Sequence, residues 1–350
     1  MSRTKQLERL MGCIIYVPIK SWRLCHADGC VIYLHQRVGF QRCSFRQSGQ
    51  SESLSIVERV TDKLYAFLYV YFSSLSPACR ELTGTFDDCM KLNEQLETLY
   101  ASRWKETCSA LQGIADNGQA VVKPAYPFLL STVRWENGMA NENWYTEADM
   151  KVLVFGKETN TWVGDADDFG VPPSPVFSSK VSLGAVMGIY ENFYATYYHH
   201  GGFSYNGTRY GTFHYGFNQF ASLLNARCPD KKIAYLWNNI VKVGKADGSG
   251  FCGTEIYEAQ KRCFMVVGGE VEILKPDLIL FLTGDYDNRI IDCWNGAQFE
   301  ALPSFTVNDV AQVKLPGISV PAYRTQHPSA RVLKEERDKR LEAIINDFCK

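Results

Sequence analysis

Three short, unbroken apolar runs constrain this chain more than any other feature: residues 151–155 (KVLVF), 233–237 (IAYLW) and 278–282 (LILFL). Each is bounded by Gly, Asn or charged residues. A strand with one wet face alternates apolar and polar residues, so a continuous run implies that both faces are covered. Segments with helical spacing lie between the runs, at residues 182–198, 216–226 and 254–274, and a last one covers 330–348. Strands alternating with helices point to an α/β domain built on a parallel sheet with helices on both faces.

The organisation ahead of residue 150 is less regular. Residues 1–89 hold Cys13, Cys25, Cys30, Cys43, Cys79 and Cys89, half of the twelve cysteines. The first fifty residues carry eight Lys/Arg against Glu8 and Asp28. The plainer expectation is a poorly ordered extension upstream of Met90; the alternative is an accessory basic arm that touches DNA backbone. Residues 91–111 read as an amphipathic helix on Leu92, Leu96, Leu99 and Leu111, so 90–149 is expected to be a helical lead-in packed on an α/β domain at 150–350.

Composition excludes several classes. The chain is 46% apolar and 21% charged, enough to bury a core. A net charge of −1 makes no global argument for nucleic acid. No CxxC pair occurs, and the first residues are charged with no sustained apolar run after them. The cysteines are therefore expected to be reduced and mostly buried in a cytoplasmic, non-membrane protein without a zinc or iron–sulfur site. The acidic loop at 164–168 (GDADD) lacks the spacing of a calcium loop and reads as solvated. The aromatic stretch at 197–215 reads either as a mobile lid that stacks on bases or as a structural insertion. Its adjacent His199 and His200 are a poor metal pair.

In an open parallel sheet, ligands sit beyond the carboxyl ends of the strands. After the first run come Gly156, Lys157 and Glu158, a close-approach glycine followed by a carboxylate. After the second comes Asn238, whose side chain offers both a donor and an acceptor, as the edge of a nucleobase requires. After the third comes Gly284, which permits a tight strand–helix junction. Finally, beyond the mostly apolar run at 318–323, come His327, Pro328 and Ser329, with a helix to follow. A proline that fixes the backbone can place an imidazole in the crevice, and a helix start can present a hydroxyl and N–H groups to phosphate.

In that order these segments resemble the uracil-DNA glycosylase superfamily, over roughly residues 150–348. The resemblance implies a three-layer α/β/α fold with a central, mainly parallel four-stranded sheet. It implies a metal- and cofactor-independent monofunctional hydrolase that cuts the N-glycosidic bond of a flipped uracil or other modified base. Its partner would be single- or double-stranded DNA, bound by a monomer. Glu158 would correspond to the water-activating carboxylate, Asn238 to the reader of the base edge and His327 to the group that meets negative charge on the departing base. Gly156, Lys157 and Ser329 would hold phosphate. Asn160 stands where strict uracil readers have a tyrosine, and Trp162, Phe169 and Phe177 are candidates for the stacking aromatic. Glu158 in place of Asp, Lys157 in place of Gln and Thr159 in place of Pro are departures from the family's first motif. They leave open a catalytically inactive or repurposed nucleic-acid- or nucleotide-binding module of the same fold.

Overall fold

The computed structural model describes residues 24–27, 30–33, 91–136, 139–159, 162, 174–198, 211–248 and 250–350. The chain divides into two compact units, residues 1–74 and 75–350. The described part of the first is an antiparallel hairpin of β1 (Leu24–Ala27) and β2 (Cys30–Tyr33), with Leu24 opposite Tyr33. The rest of the expectation for residues 1–89 lies outside the described residues.

The second unit opens with α1 (Leu92–Asp116), which buries Leu96, Tyr100, Thr107, Leu111 and Ile114 on one stripe. Then come β3 (Pro124–Pro127), the short pair β4 (Arg134–Glu136) and β5 (Met139–Asn141), α2 (Asn143–Thr146) and β6 (Met150–Gly156). They are followed by α3 (Leu183–Tyr198), α4 (Gly211–Arg227), β7 (Ile233–Asn239) and β8 (Val243–Lys245), the last paired antiparallel with β3. The final stretch runs α5 (Thr254–Cys263), α6 (Val267–Leu274), β9 (Leu278–Leu282), α7 (Asp287–Cys293), β10 (Gln298–Ala301), β11 (Val310–Lys314), β12 (Ala322–Thr325) and α8 (Lys334–Phe348).

The apolar runs form three adjacent strands, β9, β6 and β7, of one sheet ordered β10-β11-β12-β9-β6-β7. β12, β9, β6 and β7 run parallel, while β10 and β11 are antiparallel. The expected four-stranded sheet is thus corrected to a mixed one of six strands. Among the described residues β10 pairs only with β11, and its residues are mostly exposed, so it carries no apolar run to announce it. All five residues of β9 are buried, which covers both of its faces.

Registered neighbours share a face. Phe155, Asn238, Phe281 and Arg324 lie on one, where Glu270 of α6 bonds Asn238 and Asp287 of α7 pairs with Arg324. Trp237 and Tyr323 lie on the other, against Phe213 of α4 and Asp347 of α8. Helices therefore contact both faces of an α/β domain. The single helix expected over 254–274 is broken at Phe264, whose backbone leaves the helical region (φ −140°, ψ 44°) and whose ring is buried. The break re-aims α6 so that its Glu270 reaches the sheet.

Glu270 is fully buried and sits in a closed polar network. Its Oε1 accepts from Tyr100 of α1 at 2.6 Å and lies 2.7 Å from the Lys242 ammonium; its Oε2 accepts from Asn238 Nδ2 at 2.8 Å. Lys242 also donates to Asn238 Oδ1 at 2.8 Å. Breaking such a pair strands a buried charge. Lys242→Met should cost about 3–5 kcal/mol. Adding Glu270→Gln, which keeps partners for Tyr100 and Asn238, should recover part of that loss. Urea unfolding of the two singles and the double measures both; strict additivity would show that the network is not coupled.

Candidate functional site

The carboxyl ends of the four parallel strands converge because the strands are in register: Gly156 pairs with Asn239, Phe155 with Phe281 and Thr325 with Leu282. The ladder continues past β6, with Ile240 N–H on the Gly156 carbonyl at 3.1 Å and Val241 N–H on that of Lys157 at 2.9 Å. A Cβ at residue 156 would stand 2.7 Å from Asn239 Oδ1 and 3.0 Å from the Phe213 ring, so only glycine fits. Gly284 takes φ +60°, which bends the chain beyond β9, and a Cβ there would stand 3.3 Å from the His327 amide nitrogen.

The His-Pro-Ser turn is held from two sides. Pro328 is buried against Gly216 of α4, where a Cβ would stand 2.3 Å from the proline ring. The imidazole of His327 stacks on Phe213, with ring centroids 6.1 Å apart and planes at 27°. His327 Nδ1 receives the Ser329 amide at 3.2 Å and lies 2.6 Å from the Ser329 hydroxyl. A backbone N–H can only donate, so Nδ1 is the acceptor and the ring proton sits on Nε2. Burial pushes the imidazole pKa down to about 4, and Lys157 pushes the same way while Asp285 opposes. His327 is therefore neutral at pH 7, with one N–H to offer.

Glu158 lies just past β6. Its Oε1 accepts from the Tyr286 hydroxyl at 3.0 Å, and its Oε2 is buried with no hydrogen-bond partner among the described residues. Burial raises its pKa above the ordinary 4.5; the Tyr286 hydrogen bond, Lys157, Arg289 and Lys245 pull it back down. Lys157 reaches across to Asp285 at 2.7 Å and lies 4.4 Å from the centre of the Tyr286 ring. The Asp285 side chain is 84% exposed, so that ion pair contributes little stability and serves mainly to place the ammonium.

Gly156, Lys157, Glu158, His327 and Ser329 are thus gathered at one edge of the sheet. Asn238 is placed elsewhere. The strand extends through residue 239, and alternation turns Asn238 to the opposite face, fully buried, with its oxygen and its nitrogen both engaged in the Glu270–Lys242 network. Its neighbour Asn239 faces the site. Asn239 Oδ1 accepts from Trp237 Nε1 at 3.1 Å, which orients the amide, and Nδ2 is buried without a partner among the described residues. Phe177 packs on Trp104 and Tyr126, and Trp162 on Phe128 and Trp237, so both serve the core. Asn160 and Phe169 lie outside the described residues, as do the 164–168 loop, His199 and His200. Ser329 directs its amide and hydroxyl to His327.

Sequence reasoning missed Asn239, Tyr286 and Phe213. Extending β7 by two residues and counting parity would have found Asn239. Phe213 sat in the aromatic stretch, but nothing there marked one ring over another.

No protein-family model and no curated protein sequence matches the chain. Among the described residues, no helix is long and apolar enough to cross a membrane, and no group of three or more His, Cys, Asp or Glu side chains could hold a metal ion. Cys108, Cys228, Cys252, Cys263, Cys293 and Cys349 are free thiols.

Two histidines here are neutral, His214 buried and His327 partly buried. His214 of α4 sits edge-on to Trp237 with centroids 4.9 Å apart, and burial pushes its pKa down to about 3. The ordinary histidine value is 6.5, so between there and the depressed folded values the unfolded chain binds more protons. Stability is then fully present above pH 6.5 and falls as pH drops towards 4. His214→Phe should flatten the slope of unfolding free energy against pH by roughly one proton over that window. An unchanged slope in urea titrations from pH 7 to pH 4.5 would count against this.

Proposed function

We propose that this chain is a monofunctional, metal-independent N-glycosylase acting on a flipped base in DNA, in a three-layer fold of the uracil-DNA glycosylase type. One observation carries the reading. A neutral imidazole, locked with its proton on Nε2, shares the edge of the parallel strands with a carboxylate that keeps one oxygen uncommitted. Cleaving an N-glycosidic bond develops negative charge on the base and positive charge on the sugar. The first calls for a donor and the second for an anion.

A base inside a duplex is out of reach, so the nucleotide must swing out at a cost of about a few kcal/mol. Asn239 Nδ2 is the unpaired donor that meets a base carbonyl, in the role the sequence had suggested for Asn238. Phe213, wedged between His327 and Trp237, is the aromatic surface for stacking. His327 Nε2–H then stabilises the charge building on the base. Donors of this oxyanion type contribute about 3–4 kcal/mol. Glu158, ionised, holds the attacking water and stabilises the cationic sugar, as carboxylates do in glycoside hydrolysis.

Oligonucleotides containing uracil or hypoxanthine, single- and double-stranded, test the reading by base release. Glu158→Gln should abolish release, and His327→Ala should lower it by about 10²–10³-fold. Tight DNA binding with no released base from a panel of modified bases would replace the glycosylase with a binding module. The pH profile gives a separate check. Glu158 must be ionised, and its pKa lies above the ordinary value, so release should fall off on the acid side above pH 4.5. Tyr286→Phe removes a hydrogen bond that lowers this pKa, and it should move the acid limb to higher pH.

A further inference from the structure

The C-terminal ends of α4 and α8 bring two free thiols together. We infer that Cys228 and Cys349 form an oxidisable dithiol, which hydrogen peroxide converts to a disulfide that staples α4 to α8.

The way the two helices lie carries the inference. Tyr215 of α4 has the Arg337 guanidinium of α8 over its ring, 5.1 Å from the centre. One turn further on, the Gln219 side-chain amide donates to Asp338. Cys228 lies about 14 Å beyond Gln219 and Cys349 about 16 Å beyond Asp338 at the rise of an α-helix. Both cysteines still make the helical bond, with Cys228 N–H on the Leu224 carbonyl and Cys349 N–H on the Ile345 carbonyl, each at 2.9 Å. There the two thiols meet as hydrogen-bond partners. Three contacts in the same order along both helices set α4 and α8 side by side and parallel. Both thiols stand at helix ends, where the backbone yields most easily to the geometry of a disulfide.

The chemistry needs one oxidant. Hydrogen peroxide oxidises one sulfur to a sulfenic acid as its O–O bond breaks and a water leaves. The second thiol attacks that sulfur, the S–S bond forms, the S–O bond breaks and a second water leaves. Both side chains are partly exposed, so peroxide reaches them, whereas Cys252 and Cys263 are buried. Burial raises the Cys349 pKa and the Cys228 thiol adds to this, while Arg227 and Lys231 pull it down. The thiolate is the reactive form, so these two cations favour the reaction. Cys228 and Cys349 are about 120 residues apart, and closing so long a loop removes freedom from the unfolded chain. His327 stacks on Phe213 of α4 and Pro328 packs on Gly216 of α4, while α8 follows the same turn. The staple therefore ties together the two helices beside the candidate site and uses none of its groups. It stands or falls independently of the base-excising reading.

The test uses the full chain, reduced, freed of reductant and treated in dilute solution with hydrogen peroxide. Remaining thiols are alkylated before digestion. Mass spectrometry should find a peptide that joins Cys228 to Cys349 and that dithiothreitol separates. The thermal midpoint of the oxidised protein should lie about 5–10 °C above that of the reduced one. Cys228→Ser and Cys349→Ser should each lose both the bridge and the rise, and in dithiothreitol each should unfold with wild type. Cys349→Ser, at the end of α8, carries the comparison if the Cys228 variant does not fold. Glu158→Gln should form the bridge as wild type does, so a failure of base release leaves this result visible. Wild type in which both thiols are still alkylated after peroxide, or are oxidised singly to sulfinic acids without joining, would overturn the dithiol. A rise that persists in either serine variant, or a bridge that leaves the midpoint unmoved, would overturn the staple.

Discussion

The buried ion pair between Lys242 and Glu270 is the constraint on which the strand-end edge depends. Neither side chain has any exposed surface, and both charges have left water at a large desolvation cost. The cost is offset because every oxygen of Glu270 has a donor, and Lys242 reaches two acceptors and the face of Phe128. The members come from α1, β7, the turn after it and α6. Tyr100 also accepts the Leu130 amide at 3.0 Å, so the loop after β3 is tied in as well. A half-made version of such a network is worse than an apolar core, which makes this arrangement all-or-none.

That constraint reaches the site through one residue. Asn238 Oδ1 accepts the amide of Asn239 at 2.7 Å as well as the Lys242 ammonium. The side chain of Asn238 therefore cannot turn outward without breaking the network. Because strand residues alternate, its inward direction sends Asn239 to the other face, where Trp237 orients the amide. Gly156 must then be bare, since Asn239 and Phe213 occupy the space a Cβ would need. A core ion pair, a strand parity and a missing side chain are three consequences of a single packing decision.

The sequence shows the parts of this fold that come from local pattern and hides the parts that come from pairing. The runs at 151–155, 233–237 and 278–282 were legible as buried strands because both faces are covered. The β10–β11 hairpin was not, since an exposed edge needs no apolar residues. Glu158 and His327 were legible as candidates because strand ends are where side chains of one sheet converge. Tyr286, Phe213 and Arg324 were not. Each acts through a partner far away in the chain (Tyr286 and Glu158 are 128 residues apart), and no spacing rule spans that distance. Asn238 and Asn239 show the limit most sharply: residue type pointed to Asn238, and only the strand's true end shows that Asn239 takes the other face.

Lys157, read from the sequence as a departure from the family's first motif, has a physical place in the proposed reaction. Burial pushes both reacting groups towards neutrality, which suits His327 and opposes Glu158. A cation beside the two acts on them differently in effect though identically in sign. It lowers the pKa of the carboxylate, favouring the ion, and it lowers that of the imidazole, favouring the neutral ring. Asp285 and the Tyr286 ring hold the ammonium in place from the turn between β9 and α7. A neutral amide at position 157 could do neither. One lysine therefore biases both groups in the direction that the proposed base excision requires, against burial at Glu158 and with it at His327, and the longer reach of Glu158 lets its carboxylate meet Tyr286, the ring that also carries Lys157.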